Sequence, residues 1–563
     1  MVTKPFLILG GNLCMNCMSN DKVLFEISYE VCNKVGGIYT VVTSKLESVK
    51  KNFENYFAVG PYVKGRSEYD FVPKEIPYEF EKIFAELEEM GIKVHYGVWL
   101  RPEKPEVLLV EYIGFSSHVN EIKGKLWEYY QIDSLGSAWH DYDEVMLWSW
   151  CCGIVIDKLS NLFNGEVIAH GHEWMGGISL LYLTSLKSGN IRTVFTTHAT
   201  MLGRALSGQG RLPVEIIGDR NPDDVAYESQ VYTKHQTEKA LALSSDCFTT
   251  VSKITAEEAE VVYGKTPDVV VPNGLGRDDV MYSGELERKY AHSREFFNKF
   301  LKGYFYAFED FDSDNTQLFF TSGRNEFVNK GVDLFIDSLA MLNDFLKSEH
   351  EARDVVALFL IPVGEFEKDE FVFKGIDAFN SGEKIERGLN ALPYSSHKMP
   401  VGNEIVQKFL DCKLFNLKGD KVKVVLLPFY LSGHDGILNK KYSEIIAGLD
   451  LGVFPSFYEP WGYTPQEAVG LGVPAVTSDL AGFGKYVSEN NLTGESVSVI
   501  RRNGVSREES SEELYKVLRN FVLKDQKALM EQKLDCLRVA KELTWEEFFE
   551  KYLFAYNWAQ NRK

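Results

Sequence analysis

The segment LGVFPSFYEPWGYTPQEAVGLGVPAVTS, from Leu451 to Ser478, restricts the fold of this 563-residue chain more narrowly than any other. It begins and ends with short apolar runs, LGVFPS and VPAVTS, whose bounding Gly, Pro and Ser residues are typical of buried strands. Between the runs, Thr464 is predicted to cap a helix, with Pro465 at its first position and Glu467 at its third. Strand, helix and strand in succession predict an α/β fold with a parallel sheet.

The same alternation recurs along the rest of the chain. Further apolar runs bounded by glycine or polar turns are EVIAHGH, IRTVFTTHAT, CFTTVS, DVVVPNG, TQLFFTSGR, VVALFLIPVG and KVKVVLLPF. Several precede helix-like segments, such as NKGVDLFIDSLAMLNDFLKS after the TSGR turn. We therefore expect parallel sheets flanked by helices, with ligands at the carboxyl ends of the strands.

The length of the chain predicts two large domains, because a single hydrophobic core does not grow to this size. The apolar runs fall into two sets that separate near 272–274, which divides the chain into 1–274 and 275–544. The charged, aromatic stretch 277–311 fits neither set and is predicted to be a helical insertion.

The end of the chain predicts one more helix, over 545–563. Thr544 and Glu547 have the spacing of a capping box. An aromatic face at helical spacing follows, so this helix is expected to dock on a core.

Composition limits the partners. The net charge of −20 argues against nucleic acid and anionic membranes, so a phosphate-bearing ligand needs a local basic pocket. Of eight cysteines only Cys14 and Cys17 have C-x-x-C spacing, and no second pair completes a zinc site. The apolar run FLILGG after Pro5 is too short for a signal peptide or a membrane span. We expect a soluble, cytoplasmic protein with reduced thiols.

The segment quoted first also carries chemistry. Glu459 precedes Pro460 in an extended turn that follows a strand, at the edge where ligands of α/β proteins bind. The amides from Gly462 to Thr464 approach a helix N-terminus, which attracts phosphate. A carboxylate beside a phosphate cradle indicates a phosphorylated sugar donor. Whether Glu467 acts only as a helix cap or also contacts the nucleotide stays open at this point.

The wording YEPWGYTP, with two glutamates in E-x7-E spacing, resembles the retaining glycogen synthases of the animal and fungal type, glycosyltransferase family 3. Further motifs recur in the family's order: FEISYEVCNKVGGIYTVVTSK, AHGHEWMGGISL, VFTTHATMLGR, CFTTVSKITAEEAE, VPNGL and SGRNEFVNKGVDLF. The resemblance implies a GT-B fold, in which two Rossmann-like domains face each other across a cleft. It also implies that the helix 545–563 crosses back to complete the first, acceptor-side domain.

The resemblance assigns site residues position by position. The residues that match the family's catalytic positions are Glu459, Arg324, Lys330, His198 and Arg204. The residues that match its donor-binding positions are Lys34, Gly36, Gly37, Tyr430, Tyr442, Trp461, Gly462, Thr464 and Glu467. Arg324 and Lys330 would hold the donor's diphosphate, for which a guanidinium fork and an ammonium are suited. Tyr442 matches an aromatic that stacks on uracil, and Tyr430 stands where the family has Phe.

His170 and His172 share a strand face and could be metal ligands, but no Cys or further His cluster completes a coordination shell. We therefore predict no metal site. By resemblance Glu173, the next residue, lies on the acceptor side of the cleft.

The activity that the resemblance implies is glucosyl transfer from UDP-glucose to the 4-hydroxyl at the non-reducing end of an α-1,4-glucan, with retention. A nucleophilic carboxylate and a same-face displacement through an ion pair would both retain configuration. In either case Arg324 and Lys330 would stabilise the leaving diphosphate, so no cofactor or metal is expected. A priming protein, and a homo-oligomer formed through the insertion, are left open as partners.

Two alternatives compete with this prediction. Another retaining GT-B enzyme, such as a sucrose- or trehalose-phosphate-forming synthase, would lack the YEPWGYTP wording. A catalytically silent glucan-binding subunit should have lost Glu459, Arg324 or Lys330, and all three are present.

The regulatory part of the resemblance is weak. Regulated members bind glucose 6-phosphate through a row of arginines on a late helix. The stretch NFVLKDQKALMEQKLDCLRVAKELTW contains one arginine, Arg538, among lysines and acids that are predicted to pair with each other. No long Ser-rich tail follows Trp558. We expect activity without glucose 6-phosphate and no switch by phosphorylation of such a tail.

Overall fold

The computed structural model describes residues 22–186, 190–218, 220–349, 353–364 and 366–562. Cys14, Cys17 and the FLILGG run lie outside these residues. The fifteen strands among the described residues form two sheets, one from each set of apolar runs. The first sheet has nine strands: β1 (Val23–Ile27), β2 (Asn55–Pro61), β3 (Phe71–Pro73), β4 (Lys93–Trp99), β5 (Glu106–Glu111), β6 (Val167–His172), β7 (Ile191–Thr197), β8 (Cys247–Thr250) and β9 (Val269–Val270). The second has six: β10 (Thr316–Ser322), β11 (Asp354–Leu360), β12 (Val422–Leu427), β13 (Leu451–Val453), β14 (Ala475–Ser478) and β15 (Val497–Ile500).

Helices lie between the strands along the chain and cover both sheets. They are α1 (Gly37–Ser44), α2 (Leu46–Asn52), α3 (Tyr78–Glu89), α4 (Val119–Tyr130), α5 (Glu144–Ser160), α6 (Glu173–Ser185), α7 (Met201–Ser207), α8 (Pro213–Ile217), α9 (Pro222–Glu228), α10 (Tyr232–Ser244), α11 (Lys253–Tyr263), α12 (Leu286–Phe305), α13 (Val332–Ser348), α14 (Glu370–Ser381), α15 (Glu404–Asp411), α16 (Tyr442–Ile446), α17 (Tyr463–Gly470), α18 (Gly482–Glu489), α19 (Arg507–Val522), α20 (Gln526–Lys541) and α21 (Trp545–Asn561).

The prediction of parallel sheets is right for all of the second sheet and for most of the first. The exception is one edge of the first sheet, where β4 runs antiparallel to both β3 and β5. The segment 100–105 between β4 and β5 is too short for a parallel crossover, which needs about a dozen residues or more. The short connection therefore accounts for the antiparallel pairing of β4 with β5, whereas residues 74–92, which include α3, join β3 to β4 and are long enough for either direction.

Each sheet reverses its strand order at one point, and these points locate the site. The first sheet is ordered β3-β4-β5-β2-β1-β6-β7-β8-β9, so the chain leaves β1 in one direction and returns to its other side at β6. The second is ordered β12-β11-β10-β13-β14-β15 and reverses between β10 and β13. Ligands of open α/β sheets bind in the crevice at such a reversal, outside the carboxyl ends of the strands.

The predicted insertion is helical, as expected, but it is well packed. It contains α12 and two short 3₁₀ turns. Phe297 and Leu301 of α12 are completely buried. The Ser293 hydroxyl donates to the Glu444 carbonyl oxygen at 2.6 Å, and the Arg294 guanidinium pairs with Asp450 at 2.6 Å. Helix α12 is thus a packing layer of the second sheet, and a role in oligomerisation stays a prediction.

The last helix, α21, packs on the first sheet. The Tyr556 hydroxyl lies 3.0 Å from His170 Nδ1 of β6, and the Arg562 guanidinium donates to the Ser245 carbonyl oxygen at 2.8 Å. Thr544 is the N-cap residue, but its side chain makes no capping hydrogen bond, so the predicted capping box is wrong. The numerical boundary at 274/275 stays a prediction. In the part of the chain that the structure describes, every helix is too short or too polar to cross a membrane.

Candidate active site

Four of the predicted site residues follow strands at the two reversal points. Lys34 lies in the loop after β1, and Glu173 directly follows β6. Arg324 follows β10, and Glu459 lies between β13 and α17. The fold therefore places residues that are far apart in sequence at the facing edges of both sheets.

The two charges at the centre of the second sheet's crevice pair with each other. The Lys330 ammonium forms a salt bridge with the Glu459 carboxylate, and both side chains are less than one-fifth exposed. Arg324 pairs with Glu326 at 2.8 Å, and its side chain is 61% exposed. An exposed guanidinium and a partly buried ammonium are both groups that suit a diphosphate.

Asn329 is a residue of this site that sequence reasoning missed. Its main-chain carbonyl accepts a hydrogen bond from the amide of Phe457 at 2.8 Å, which fixes the Lys330 loop against the Glu459 loop. Its side-chain amide reaches the Ser207 hydroxyl of the first half at 3.4 Å. In the sequence, its position beside Lys330 in the motif SGRNEFVNKGVDLF could have indicated that Asn329 belongs to the site.

On the first sheet's side, Glu173 organises His198 and Arg204. Glu173 has a φ of 57°, which is unusual for a residue other than glycine and is typical of strained functional positions. Its Oε1 accepts from the His198 amide at 3.2 Å and lies 3.6 Å from the Arg204 guanidinium. Burial raises the pKa of Glu173 to about 6. The structure thus brings these three predicted residues together.

A second missed pair, Glu258 and Tyr458, joins the two halves of the site. The Tyr458 hydroxyl donates to Glu258 Oε1 at 2.9 Å, and the Thr200 hydroxyl donates to the same oxygen at 2.7 Å. Burial raises the pKa of Glu258 to about 7. Because Tyr458 precedes Glu459, this contact fixes the Glu459 loop relative to the loop that carries His198.

The glycine loop after β1 is held by a carboxylate of the chain itself. Glu30 Oε2 accepts from the amides of Gly36 at 2.7 Å and Tyr39 at 2.9 Å, at the N-terminus of α1. Gly36, Gly37 and Lys34 are exposed. The Gly36 amide is therefore already engaged, and the exposed Lys34 is a group of this loop that could contact a phosphate.

The predicted start of α17 is wrong by two residues. The helix begins at Tyr463 with Gly462 as N-cap, and no side chain caps it. Gly462 takes this position because its φ of 114° is unfavourable for any residue with a Cβ. Thr464 is therefore the second helical residue and Glu467 the fifth, so the interpretation of Glu467 as a cap does not hold.

Trp461 also differs from expectation. Its indole is buried against Phe483, Tyr486 and Phe548, and its N–H donates to the Gln466 side chain at 2.7 Å. An indole with satisfied packing and hydrogen bonding cannot contact a sugar, so only the main chain of Trp461 is left to do so.

Glu467, Tyr442 and Tyr430 are the predicted donor-binding residues that remain to be located. Burial and the neighbouring Asp279 raise the pKa of Glu467 to about 8, against an opposing effect of Lys34. Tyr442 is half-buried, and its hydroxyl lies 3.0 Å from that of Ser322. Tyr430 is 72% exposed and free to stack on a planar group.

The substitution Glu467→Gln tests the electrostatic state of this residue. The pKa of this carboxyl is raised from its ordinary value of 4.5 to about 8 in the folded protein. Between these two pH values the folded protein therefore binds a proton that the unfolded chain does not, so the stability of the fold decreases as pH rises across this window. We expect the melting temperature of the wild type, relative to Glu467→Gln, to fall steadily from pH 5 to pH 9. Differential scanning calorimetry at five pH values measures this difference. A difference independent of pH would show that Glu467 is ionised throughout.

His170 and His172, together with Glu26, place candidate metal-ligand atoms within 4.8 Å of one another. Each of these atoms already has a partner. His170 contacts the hydroxyls of Tyr556 and Thr196, and Glu26 forms a salt bridge with Lys45. An ammonium therefore already supplies the positive charge at this cluster. The prediction of no metal site stays a prediction.

The fold and the facing crevices together define a class. A search of solved structures aligns 96% of this chain with 99% of the catalytic domain of starch synthase IV from Arabidopsis thaliana, at a TM-score of 0.56 and 16% identity. A trehalose-phosphate synthase from Burkholderia xenovorans aligns over 95% of this chain and 99% of its own, at a TM-score of 0.52 and 10% identity. At these identities the likeness concerns the fold alone, and the fold is GT-B.

Sequence comparison narrows the class to a family. The family model described as glycogen synthase matches residues 26–375 and 387–563. The chain is 32% identical to glycogen [starch] synthase isoform 1 of Saccharomyces cerevisiae, over 95% of this chain and 85% of the yeast protein. It is also 32% identical to the human liver enzyme, over 95% of this chain and 83% of that protein. The chain belongs to the glycogen synthase family and is a glycosyltransferase.

Proposed function

We propose that this enzyme transfers glucose from UDP-glucose to the non-reducing 4-hydroxyl of an α-1,4-glucan with retention of configuration. The observation that carries the proposal is the Lys330–Glu459 salt bridge, which lies beside Gly462 at the uncapped N-terminus of α17. These groups suit a sugar diphosphate, because the cation and the free helix amides can contact the phosphates, and the carboxylate can face the anomeric carbon.

The reaction breaks the bond between the anomeric carbon and the β-phosphate oxygen, and it forms a bond from that carbon to the glucan 4-oxygen. Negative charge develops on the departing diphosphate, where Arg324 and Lys330 stabilise it. Positive charge develops at the anomeric carbon, where Glu459 stabilises it. The acceptor's proton leaves with the diphosphate. The residues present can balance both charges, so we propose that no metal is required.

A reducing, cytoplasmic location fits the thiols. Of the described cysteines, Cys32, Cys151, Cys152, Cys247 and Cys536 are buried and all are unpaired. Burial raises the pKa of these thiols, which keeps them protonated and unreactive. A glucan acceptor is part of the proposal, whereas a priming protein and a homo-oligomer through α12 remain possible partners to be tested by co-purification and light scattering.

The direct experiment incubates the enzyme with glycogen and radiolabelled UDP-glucose or ADP-glucose, and it measures label in the polymer. Label that enters the polymer from UDP-glucose and is released from it as free glucose by an exo-glucosidase specific for α-1,4 bonds supports the proposal. Parallel reactions supply glucose 6-phosphate or fructose 6-phosphate as acceptor. Label in a phosphorylated disaccharide instead of the polymer would overturn it.

We expect this enzyme to be active without glucose 6-phosphate. On α20, Arg538 pairs with Asp535 at 2.8 Å, and Lys527 lies 3.8 Å from Glu531. Lys533 is buried and donates to the Leu449 carbonyl oxygen at 2.7 Å. These cations do not converge on one anion site, and an isolated exposed pair contributes only ~0–1 kcal/mol.

The measurement is initial velocity at low UDP-glucose, with and without millimolar glucose 6-phosphate. We expect the two velocities to agree within about twofold. An activation of about tenfold or more would show that an effector site exists elsewhere in the chain.

A further inference from the structure

A chain of buried side chains leads from the interior of the first sheet to His198. It consists of Glu26 on β1, His172 at the end of β6, and His198 after β7. His172 Nε2 lies 2.7 Å from Glu26 Oε1, and His172 Nδ1 lies 2.9 Å from His198 Nε2. All three side chains are buried, and neither histidine carries a role in the charge balance described above.

The proton positions along this chain follow from Glu26. Its Oε1 accepts from the Lys45 ammonium, and its Oε2 accepts from the Tyr56 hydroxyl at 2.7 Å. A carboxylate held by an ammonium and a hydroxyl is an acceptor, so His172 must donate to it through Nε2.

The two imidazoles each carry a single proton. Burial lowers the pKa of both His172 and His198 well below the usual histidine range. Because the proton of His172 is on Nε2, its Nδ1 is an acceptor, and His198 must donate to it through Nε2. The remaining nitrogen, His198 Nδ1, is then unprotonated. It has no hydrogen-bond partner among the residues that the structure describes.

We propose that Glu26 and His172 are positioning residues that hold His198 in one tautomer, with Nε2 protonated and Nδ1 free to accept a hydrogen bond. Resting on the proposed function, this makes His198 an acceptor for one hydroxyl of the donor sugar. The site then requires the donor sugar to carry a hydroxyl that donates a hydrogen bond to His198 Nδ1. A donor sugar with hydrogen or fluorine there cannot donate, and its transfer should be strongly reduced because a buried acceptor stays unpaired.

The first test reads the tautomer directly and does not depend on transfer. The full-length enzyme is labelled with ¹⁵N-histidine, and the ring signals of His198 are assigned by their loss in His198→Gln. We expect a protonated Nε2 and an unprotonated Nδ1 from pH 6 to pH 8. A protonated Nδ1 at any of these pH values would overturn the proposal, even if the enzyme makes glucan.

The second test compares two substitutions of His172. An Asn side chain can place its amide oxygen near the position of Nδ1, so His172→Asn should keep the His198 tautomer. His172→Leu offers no acceptor and should give signals of both tautomers. UDP-glucose analogues carrying fluorine at each sugar position in turn identify the sensitive hydroxyl. Discrimination is the kcat/KM for UDP-glucose divided by the kcat/KM for the analogue that is fluorinated at the sensitive position. We expect this ratio to be at least about tenfold smaller in His172→Leu than in the wild type.

The matched control is His170→Asn. His170 lies on the same strand and is equally buried, but its ring nitrogens contact Tyr556 and Thr196 rather than His198. We expect this variant to keep both the His198 signals and the discrimination. Two results would show that Glu26 and His172 only pack in the core. One is that His170→Asn changes the His198 signals and the discrimination as much as His172→Leu does; the other is that discrimination is unchanged in a folded His172→Leu. If His172→Leu does not fold, the wild-type spectrum still decides the proposal.

Discussion

Replacing Glu459 by Gln should reduce kcat by at least about 10³-fold while UDP binding stays nearly intact. The substitution keeps the size of the side chain but removes the negative charge that faces the developing positive charge of the sugar. The main chain of this loop is independently anchored, because the Gly482 amide donates to the Glu459 carbonyl oxygen at 2.9 Å. Transfer kinetics with glycogen, together with calorimetric titration of UDP, measure the two effects separately.

The control for this variant is Glu489→Gln. Glu489 is also paired with a lysine, Lys253, at 2.6 Å, but it lies on α18 outside the site. We expect this control to keep wild-type kcat. Equal loss in both variants would mean that the loss of a glutamate–lysine salt bridge in general, and not of the Glu459 carboxylate, lowers the rate.

Removing either cation of the diphosphate pair should cost on the order of 10²-fold in kcat/KM or more. Lys330→Ala removes the ammonium that pairs with Glu459, and Arg324→Ala removes the exposed guanidinium. Both groups would stabilise the leaving diphosphate, and the acidic surface of this chain offers no general attraction for it. Steady-state kinetics and UDP affinity for each variant test this expectation.

The two variants should differ in stability. Arg324 is exposed, so its loss should leave the melting temperature unchanged. Lys330 is partly buried against Glu459, so its removal leaves a carboxylate unpaired and should lower the melting temperature slightly. Lys253→Ala, which breaks the Glu489 pair, is the matched control. Wild-type kcat/KM in Arg324→Ala or Lys330→Ala would remove that residue from the site.

The local pattern of the sequence was enough for most of the fold. Apolar runs of strand length, separated by helical segments, identify strands such as β6, β7, β10, β11 and β12 because periodicity and turn residues act over a few positions. The antiparallel edge β3-β4-β5 was missed, since the composition of a strand does not give its direction; for β4 and β5 the short connection of residues 100–105 decides it. The order of strands, and hence the crevice, is also a property of the whole sheet.

The site divides in the same way. The sequence by itself determined which residue types stand after the strands, and motif resemblance identified Glu459, Arg324 and Lys330. Only the tertiary structure decided that the Trp461 indole faces the core and that α17 begins at Tyr463. In both cases packing outweighs the local preference that the sequence expresses.

The residues missed from sequence are those whose partners lie far along the chain. Glu258 and Tyr458 are 200 positions apart, and Glu26 and His172 are 146 apart. Neither pair has a spacing or periodicity that a linear pattern could reveal. Glu26 and His172 meet because β1 and β6 are neighbours in one sheet, and Glu258 and Tyr458 meet because the two halves of the chain pack together; burial then shifts pKa values and fixes hydrogen-bond direction. The sequence supplies these groups, and the packing of distant segments determines what they do.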